Sequence, residues 1–216
     1  MAKKKIILFD LDGTLIDSTD AIYNSFCFSC QKNQLQIPSL EEVKKTIGHT
    51  SSDMFSHFGA SQNKLTSFVD SYREYYLKVF LEQTKILPNA ISSVQIANEF
   101  ARLGIVSTKT SKRSIELLEF FDILKYFEIV IGIEDVQFPK PHKEPILCAK
   151  NKIDAKASLL DVFMIGDTPL DAKSAIDAGV HPIGVKCGYG AYEDLYKLCE
   201  NIFEDSLEAV EFIRTL

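Results

Sequence analysis

Five short apolar runs, at residues 5–9, 104–107, 128–132, 161–165 and 182–185, recur along the chain without the alternation of a strand that has one wet face. Near-continuous apolarity belongs to strands covered on both sides, as in a parallel sheet with helices on each face. The segments between the later runs read as single helices. Pro88-Asn89 opens one that runs to Gly104, with Ile91, Val94 and Leu103 among its apolar positions. Thr168-Pro169 opens another that stops at Gly179, with proline at the first helical position and glycine just past the end. The pattern predicts a doubly wound α/β fold, which binds its ligands at the carboxyl ends of the strands.

The rhythm breaks once. Residues 17–83 carry no strand signal. Ile22, Phe26 and Cys30 fall four apart, Ser39-Leu-Glu-Glu42 is a capping box, and Gly48 is placed to close that helix. Leu65, Phe68, Val69, Tyr72, Tyr76 and Val79 trace one stripe of a longer helix. The expected division is therefore a Rossmann-like core of residues 1–16 and 84–216, with an all-helical cap of residues 17–83. The cap is expected to act as a lid, with Asp17-Ser18-Thr19 as its hinge. A length of 216 residues suits a core with such an appendage.

Composition narrows the partners. Lys and Arg number 24 against 30 Asp and Glu, a net charge of −6, which disfavours a general nucleic-acid binder. No apolar run approaches a membrane span, and the run after Lys3-Lys4-Lys5 stops at Asp10, too short for a signal peptide. A cytoplasmic protein without nucleic-acid or membrane partners is expected, either a monomer or a homodimer. The five cysteines are irregularly spaced, so Cys27 and Cys30 read as small apolar groups on a helix rather than a metal or redox pair.

The chemistry lies at the predicted strand tips. The first run ends Phe9-Asp10-Leu11-Asp12-Gly13-Thr14. Two carboxylates two apart at the end of a buried strand repel one another unless a cation lies between them. A hard divalent ion with oxygen ligands relieves that repulsion, and Mg²⁺ is the expected one. The competing reading is a turn that uses Asp12-Gly13 only for its backbone. The fourth run ends Gly166-Asp167-Thr168-Pro169-Leu170-Asp171, where Asp171 also fits a helix-start box with Thr168. Opposite chemistry comes from two other tips. Ser107-Thr108-Lys109 offers hydroxyls and amides to an anionic oxygen, and Lys140 is fixed between Pro139 and Pro141. A phosphate dianion needs such compensating charge.

In order along the chain, Asp10-Leu-Asp12-Gly-Thr-Leu, Ser107, Lys140 and Gly166-Asp167-Thr-Pro-Leu-Asp171 resemble the motifs of the haloacid dehalogenase (HAD) superfamily. The resemblance covers essentially the whole chain and is greatest to the phosphatases with a small helical (C1-type) cap, of the phosphoglycolate phosphatase-like type. Thr108 stands where relatives often have Asn. The resemblance implies that Asp10 is the nucleophile, forming an aspartyl-phosphate, and that Asp12 protonates the leaving oxygen and then activates water. It implies a Mg²⁺ site from Asp10, Asp167 and the Asp12 backbone carbonyl, with Asp171 helping directly or through water. Ser107, Thr108 and Lys140 would bind the phosphoryl oxygens. Asp12 argues against the dehalogenase branch, which lacks that acid. In the cap, His49 and Arg73 are the candidates for touching substrate. The function expected is a Mg²⁺-dependent phosphatase acting on a small phosphorylated metabolite. The alternatives are a hexose-phosphate mutase of the same fold and a catalytically silent binding or regulatory module.

Overall fold

The computed structural model describes residues 4–216. In chain order the elements are β1 (Lys5–Phe9), β2 (Ile16–Asp17), α1 (Thr19–Lys32), α2 (Leu40–Lys44), α3 (Ser51–His57), α4 (Leu65–Val79), β3 (Lys85–Ile86), α5 (Ala90–Phe100) and β4 (Ala101–Val106). They continue with α6 (Ser111–Phe120), β5 (Ile129–Ile131), α7 (Glu144–Asp154), β6 (Val162–Gly166), α8 (Pro169–Ala178), β7 (His181–Val185), α9 (Tyr192–Leu195), β8 (Ile202–Phe203) and α10 (Ser206–Thr215). Two compact units result, one from residues 1–16 and 86–216 and the other from residues 17–85. Strands β2 and β3 pair with each other as a two-stranded ribbon.

The first unit is built on a six-stranded sheet in the order β5-β4-β1-β6-β7-β8, and its described pairings are all parallel. This is the doubly wound architecture expected from the apolar runs. Strand β1 is central, with Ile7 opposite Leu103 of β4 on one side and Phe163 of β6 on the other. Its side chains alternate between two covered faces. Ile6 and Leu8 join Ile146, Ala149 and Ile153 of α7 and Ala175 and Ala178 of α8 in one core cluster. Ile7 and Phe9 point the other way and are fully buried as well. The absence of polar alternation in β1 thus has a direct cause.

One boundary differs from the expectation. The helix predicted to reach Gly104 ends at Phe100, and β4 begins at Ala101. Leu103 fits a helical stripe, but Lys5 through Phe9 pair with Ala101 through Ile105, and that ladder takes the segment into the sheet. A short apolar run does not by itself distinguish the two states. Helix α8 matches its signals, running from Pro169 to Ala178 with Gly179 in the left-handed conformation at its end.

The second unit is helical. The capping box at Ser39 and Glu42 forms as predicted, whereas Gly48 lies three residues beyond the C-cap Lys45 rather than at the helix end. Phe26 stacks on Phe55 at 4.3 Å and Tyr72 on Tyr76 at 5.5 Å, so the aromatic stripe of α4 is interior. Cys27 and Cys30 lie on α1 as free thiols, and burial pushes Cys30 up to about 12. Among the described residues, no helix is long and apolar enough to cross a membrane.

Candidate active site

The carboxyl ends of β1, β4 and β6 deliver the predicted acids and hydroxyls. Past Phe9 the ladder continues by one bond, from the Asp10 amide to the Ile165 carbonyl at 2.9 Å, which fixes Asp10 at the strand tip. The chain then turns tightly: the Leu15 amide bonds back to the Leu11 carbonyl and the Gly13 amide to the Ile16 carbonyl. Gly13 has φ +93°, and a Cβ there would lie 2.3 Å from Asp167 Oδ2. Only glycine fits this turn.

Asp10, Asp167 and Asp171 converge. One carboxylate oxygen from each lies within 4.8 Å of the others, and all three residues are buried. Lys140 reaches the same place. Its ammonium donates to Asp10 Oδ1 at 2.6 Å, Asp171 Oδ1 at 2.5 Å and the Val106 carbonyl at 3.0 Å. Its three protons thus have three acceptors. The last of these ties Lys140 to the residue before Ser107. Ser107 is buried, its amide bonded to the Ile131 carbonyl and its hydroxyl oxygen accepting from the Lys109 amide. Thr108 is half-buried beside it.

Asp171 forms the helix-start box and also meets Lys140. Its Oδ2 accepts from the Thr168 amide at 3.1 Å and hydroxyl at 2.6 Å, the helix-start box, while Oδ1 faces Lys140. Asp167 takes the Thr14 hydroxyl on Oδ1 at 3.2 Å and the Tyr189 amide on Oδ2 at 2.7 Å. Asp12 stands apart from the three-acid cluster. Its Oδ2 pairs with Lys109 at 3.0 Å, and its Oδ1 is buried with no hydrogen-bond partner among the described residues.

These contacts set the charge states. Burial pushes the Asp10 carboxyl well above the usual carboxylate range, helped by Asp171 and Asp167 and opposed by Lys140. Burial, and next the charge of Asp171, pushes Asp167 up to about 7. Burial works against the Lys140 charge, but Asp10 and Asp171 outweigh it and hold the lysine above its ordinary value. Together the three-acid cluster with Lys140 and the Asp12–Lys109 pair set four carboxyl groups against two lysines. A hard divalent cation fits this donor set, because buried oxygen ligands of excess negative charge are what such an ion binds and no soft donor belongs to the cluster.

Two features escaped sequence reasoning. The sequence places Lys109 in a polar strand exit and gives no sign that it partners Asp12. The loop after β7 lies outside the sequence motifs, although the Tyr189 amide anchors Asp167 and the Cys187 thiol donates to the Gly13 carbonyl at 3.4 Å. A Cβ on Gly190 would stand 2.0 Å from the Asp167 carbonyl oxygen, so that loop lies directly against the acid's backbone. The two glycines flanking Tyr189 were the available signal. His49 and Arg73 lie in the helical unit and are exposed. His49 helps line a surface cavity of about 640 Å³ with Lys45, Asp53 and His57.

Comparison with known proteins decides the family. The family model described as haloacid dehalogenase-like hydrolase matches residues 7–185. The chain belongs to the haloacid dehalogenase-like hydrolases. A Bacillus mycoides protein named pyrophosphatase PpaX is 30% identical over 199 residues, covering 90% of each chain. A Caldanaerobacter subterraneus relative provisionally given the same name is 30% identical over 210 residues, covering 96% of this chain and 94% of its own. A Bacteroides fragilis structure assigned to the haloacid dehalogenase-like hydrolases superposes with a TM-score of 0.89 at 28% identity, over 96% of this chain and all of that one. In this chain Asp10, Asp167, Asp171 and Lys140 meet in one buried cluster.

Proposed function

We propose that the protein is a Mg²⁺-dependent phosphatase that hydrolyses a small phosphorylated metabolite through an aspartyl-phosphate on Asp10. The observation that carries this reading is the buried cluster of Asp10, Asp167 and Asp171, in which the Lys140 ammonium joins Asp10 to Asp171.

Asp10 attacks phosphorus, forming an O–P bond as the bond to the leaving oxygen breaks. Asp12 gives its proton to that oxygen and later takes one from the water that displaces Asp10 from phosphorus. Ser107, Thr108 and Lys140 hold the transferring phosphoryl oxygens, so most of the catalysis is positioning and charge stabilisation. Asp10, Asp167 and the Asp12 backbone carbonyl are the ligands proposed for Mg²⁺, with Asp171 direct or through water. The ion supplies positive charge against the phosphoryl oxygens when bound. The helical unit is proposed to act as the cap, with His49 and Arg73 contributing to substrate choice.

Inorganic pyrophosphate is a second substrate reading, favoured by the two PpaX-named relatives at 30% identity. The test is phosphate release from p-nitrophenyl phosphate, pyrophosphate and a panel of phosphorylated metabolites, with Mg²⁺ and with EDTA. Mg²⁺-dependent release from at least one supports the reading. No release with any divalent metal overturns it and leaves a silent binding module. Conversion of a hexose 1-phosphate into the 6-phosphate without free phosphate would make the protein a mutase.

A further inference from the structure

Lys109 is paired with Asp12, and the phosphatase chemistry above gives it no part. It is not a solvated side chain: its exposure is 10%, and that of its partner Asp12 is 12%. Its backbone is fixed on both sides. The amide donates to Ser107 Oγ at 3.1 Å, and the carbonyl accepts from the Ile133 amide at 3.1 Å. From that anchored position the ammonium meets Asp12 Oδ2 at 3.0 Å. The other oxygen, Oδ1, is buried and has no partner among the described residues. A buried carboxylate oxygen left without a donor is costly unless something supplies one. One oxygen of Asp12 is therefore fixed by a cation while the other stays available.

We propose that Lys109 is a positioning residue for Asp12, holding the carboxyl by Oδ2 so that Oδ1 is the oxygen that exchanges the proton. In the first half-reaction the proton leaves Oδ1 for the leaving oxygen as its bond to phosphorus breaks. In the second, Oδ1 takes a proton from water as the water oxygen bonds to phosphorus and Asp10 departs. The inference rests on the reading of Asp12 as the acid–base residue. It gives Lys109 no contact with substrate, so the loss falls on turnover rather than on binding.

A double-mutant cycle tests it, with steady-state phosphate release measured for wild type, Lys109→Gln, Asp12→Asn and the double variant, and folding checked by thermal unfolding. Lys109→Gln is expected to lower kcat by about 10- to 100-fold, a part of what acid–base catalysis contributes, with KM within about twofold. Lys109→Arg, which keeps the charge, recovers most of that loss. In the Asp12→Asn background Lys109→Gln has no further effect beyond about twofold. Lys109→Met, which keeps the length of the stem, replaces Lys109→Gln if the latter unfolds. A raised KM with unchanged kcat would make Lys109 a substrate ligand and overturn the proposal, as would a full additional loss on top of Asp12→Asn. If Asp12→Asn keeps wild-type turnover, the assignment of Asp12 itself fails, and that outcome is separate from an inactive Asp12→Asn beside a fully active Lys109→Gln.

Discussion

Asp167 receives hydrogen bonds from two neutral donors, the Thr14 hydroxyl and the Tyr189 amide, whereas Asp10 and Asp171 share the Lys140 ammonium. Burial and the Asp171 charge then push its carboxyl up to about 7, far above the unfolded value near 3.8. Between those two values the folded protein holds a proton that the unfolded chain has lost. Stability of the metal-free protein therefore falls as pH rises from about 4 through about 7. In EDTA the melting temperature is expected to be higher at pH 5.5 than at pH 8, by at least about 3 °C. Added Mg²⁺ is expected to raise it more at pH 8, where no proton competes for the carboxylates. Differential scanning calorimetry at the two pH values checks both statements, and a melting temperature that climbs with pH in EDTA would contradict them. The acids themselves were legible, because paired carboxylates after buried apolar runs have few other uses. The Lys109–Asp12 pair and the Tyr189 amide were not. Each joins residues far apart in the chain, and an amide donor carries no residue-type signal.

At the level of elements, strand β1 and helix α8 follow from local rules alone: an unbroken apolar run in the first, proline and glycine punctuation in the second. The start of β4 did not, because Leu103 suits a helical stripe as well as a strand and only pairing with β1 settles it. Strand β8 is two residues long, below what any periodicity can reveal. The loop between β7 and α9 is the element with the clearest consequence for function. Gly190 lies where a Cβ would collide with the Asp167 carbonyl oxygen. Gly190→Ala must therefore push the loop off Asp167 and loosen the Tyr189 contact. Supporting contacts around metal ligands typically matter by 10- to 100-fold in affinity. The variant is expected to weaken Mg²⁺ binding by roughly tenfold, read by calorimetric titration, while circular dichroism stays that of the parent. Unchanged Mg²⁺ affinity would mean that the loop does not position Asp167.

For the whole molecule, the ribbon of Ile16–Asp17 and Lys85–Ile86 puts the two ends of the helical insertion side by side. A chain in which a short Gly/Ser linker replaces residues 18–84 is therefore expected to fold around the six-stranded sheet. The acids proposed to be catalytic, Ser107, Lys109 and Lys140 all lie outside the excised stretch. Under the proposed cap role the shortened protein keeps Mg²⁺-dependent hydrolysis of p-nitrophenyl phosphate but loses discrimination among metabolites. That loss is read as kcat/KM values that converge across the substrate panel. Retained discrimination would place substrate choice in the sheet unit instead. Sequence patterning predicts a helical insertion because strand signals stop for so long a stretch. It could not name the substrate, since exposed side chains such as His49 and Arg73 carry no pattern that separates a binding role from a solvated one.

The claim on which all of this rests is that Asp10 carries the phosphoryl group. Reduction by borohydride of enzyme quenched in acid during turnover converts an aspartyl-phosphate into homoserine, which peptide mass spectrometry locates. Homoserine at position 10, dependent on Mg²⁺ and on substrate and absent from Asp10→Asn, is the predicted result. A fully active enzyme that yields no homoserine, or yields it at another aspartate, would contradict the account.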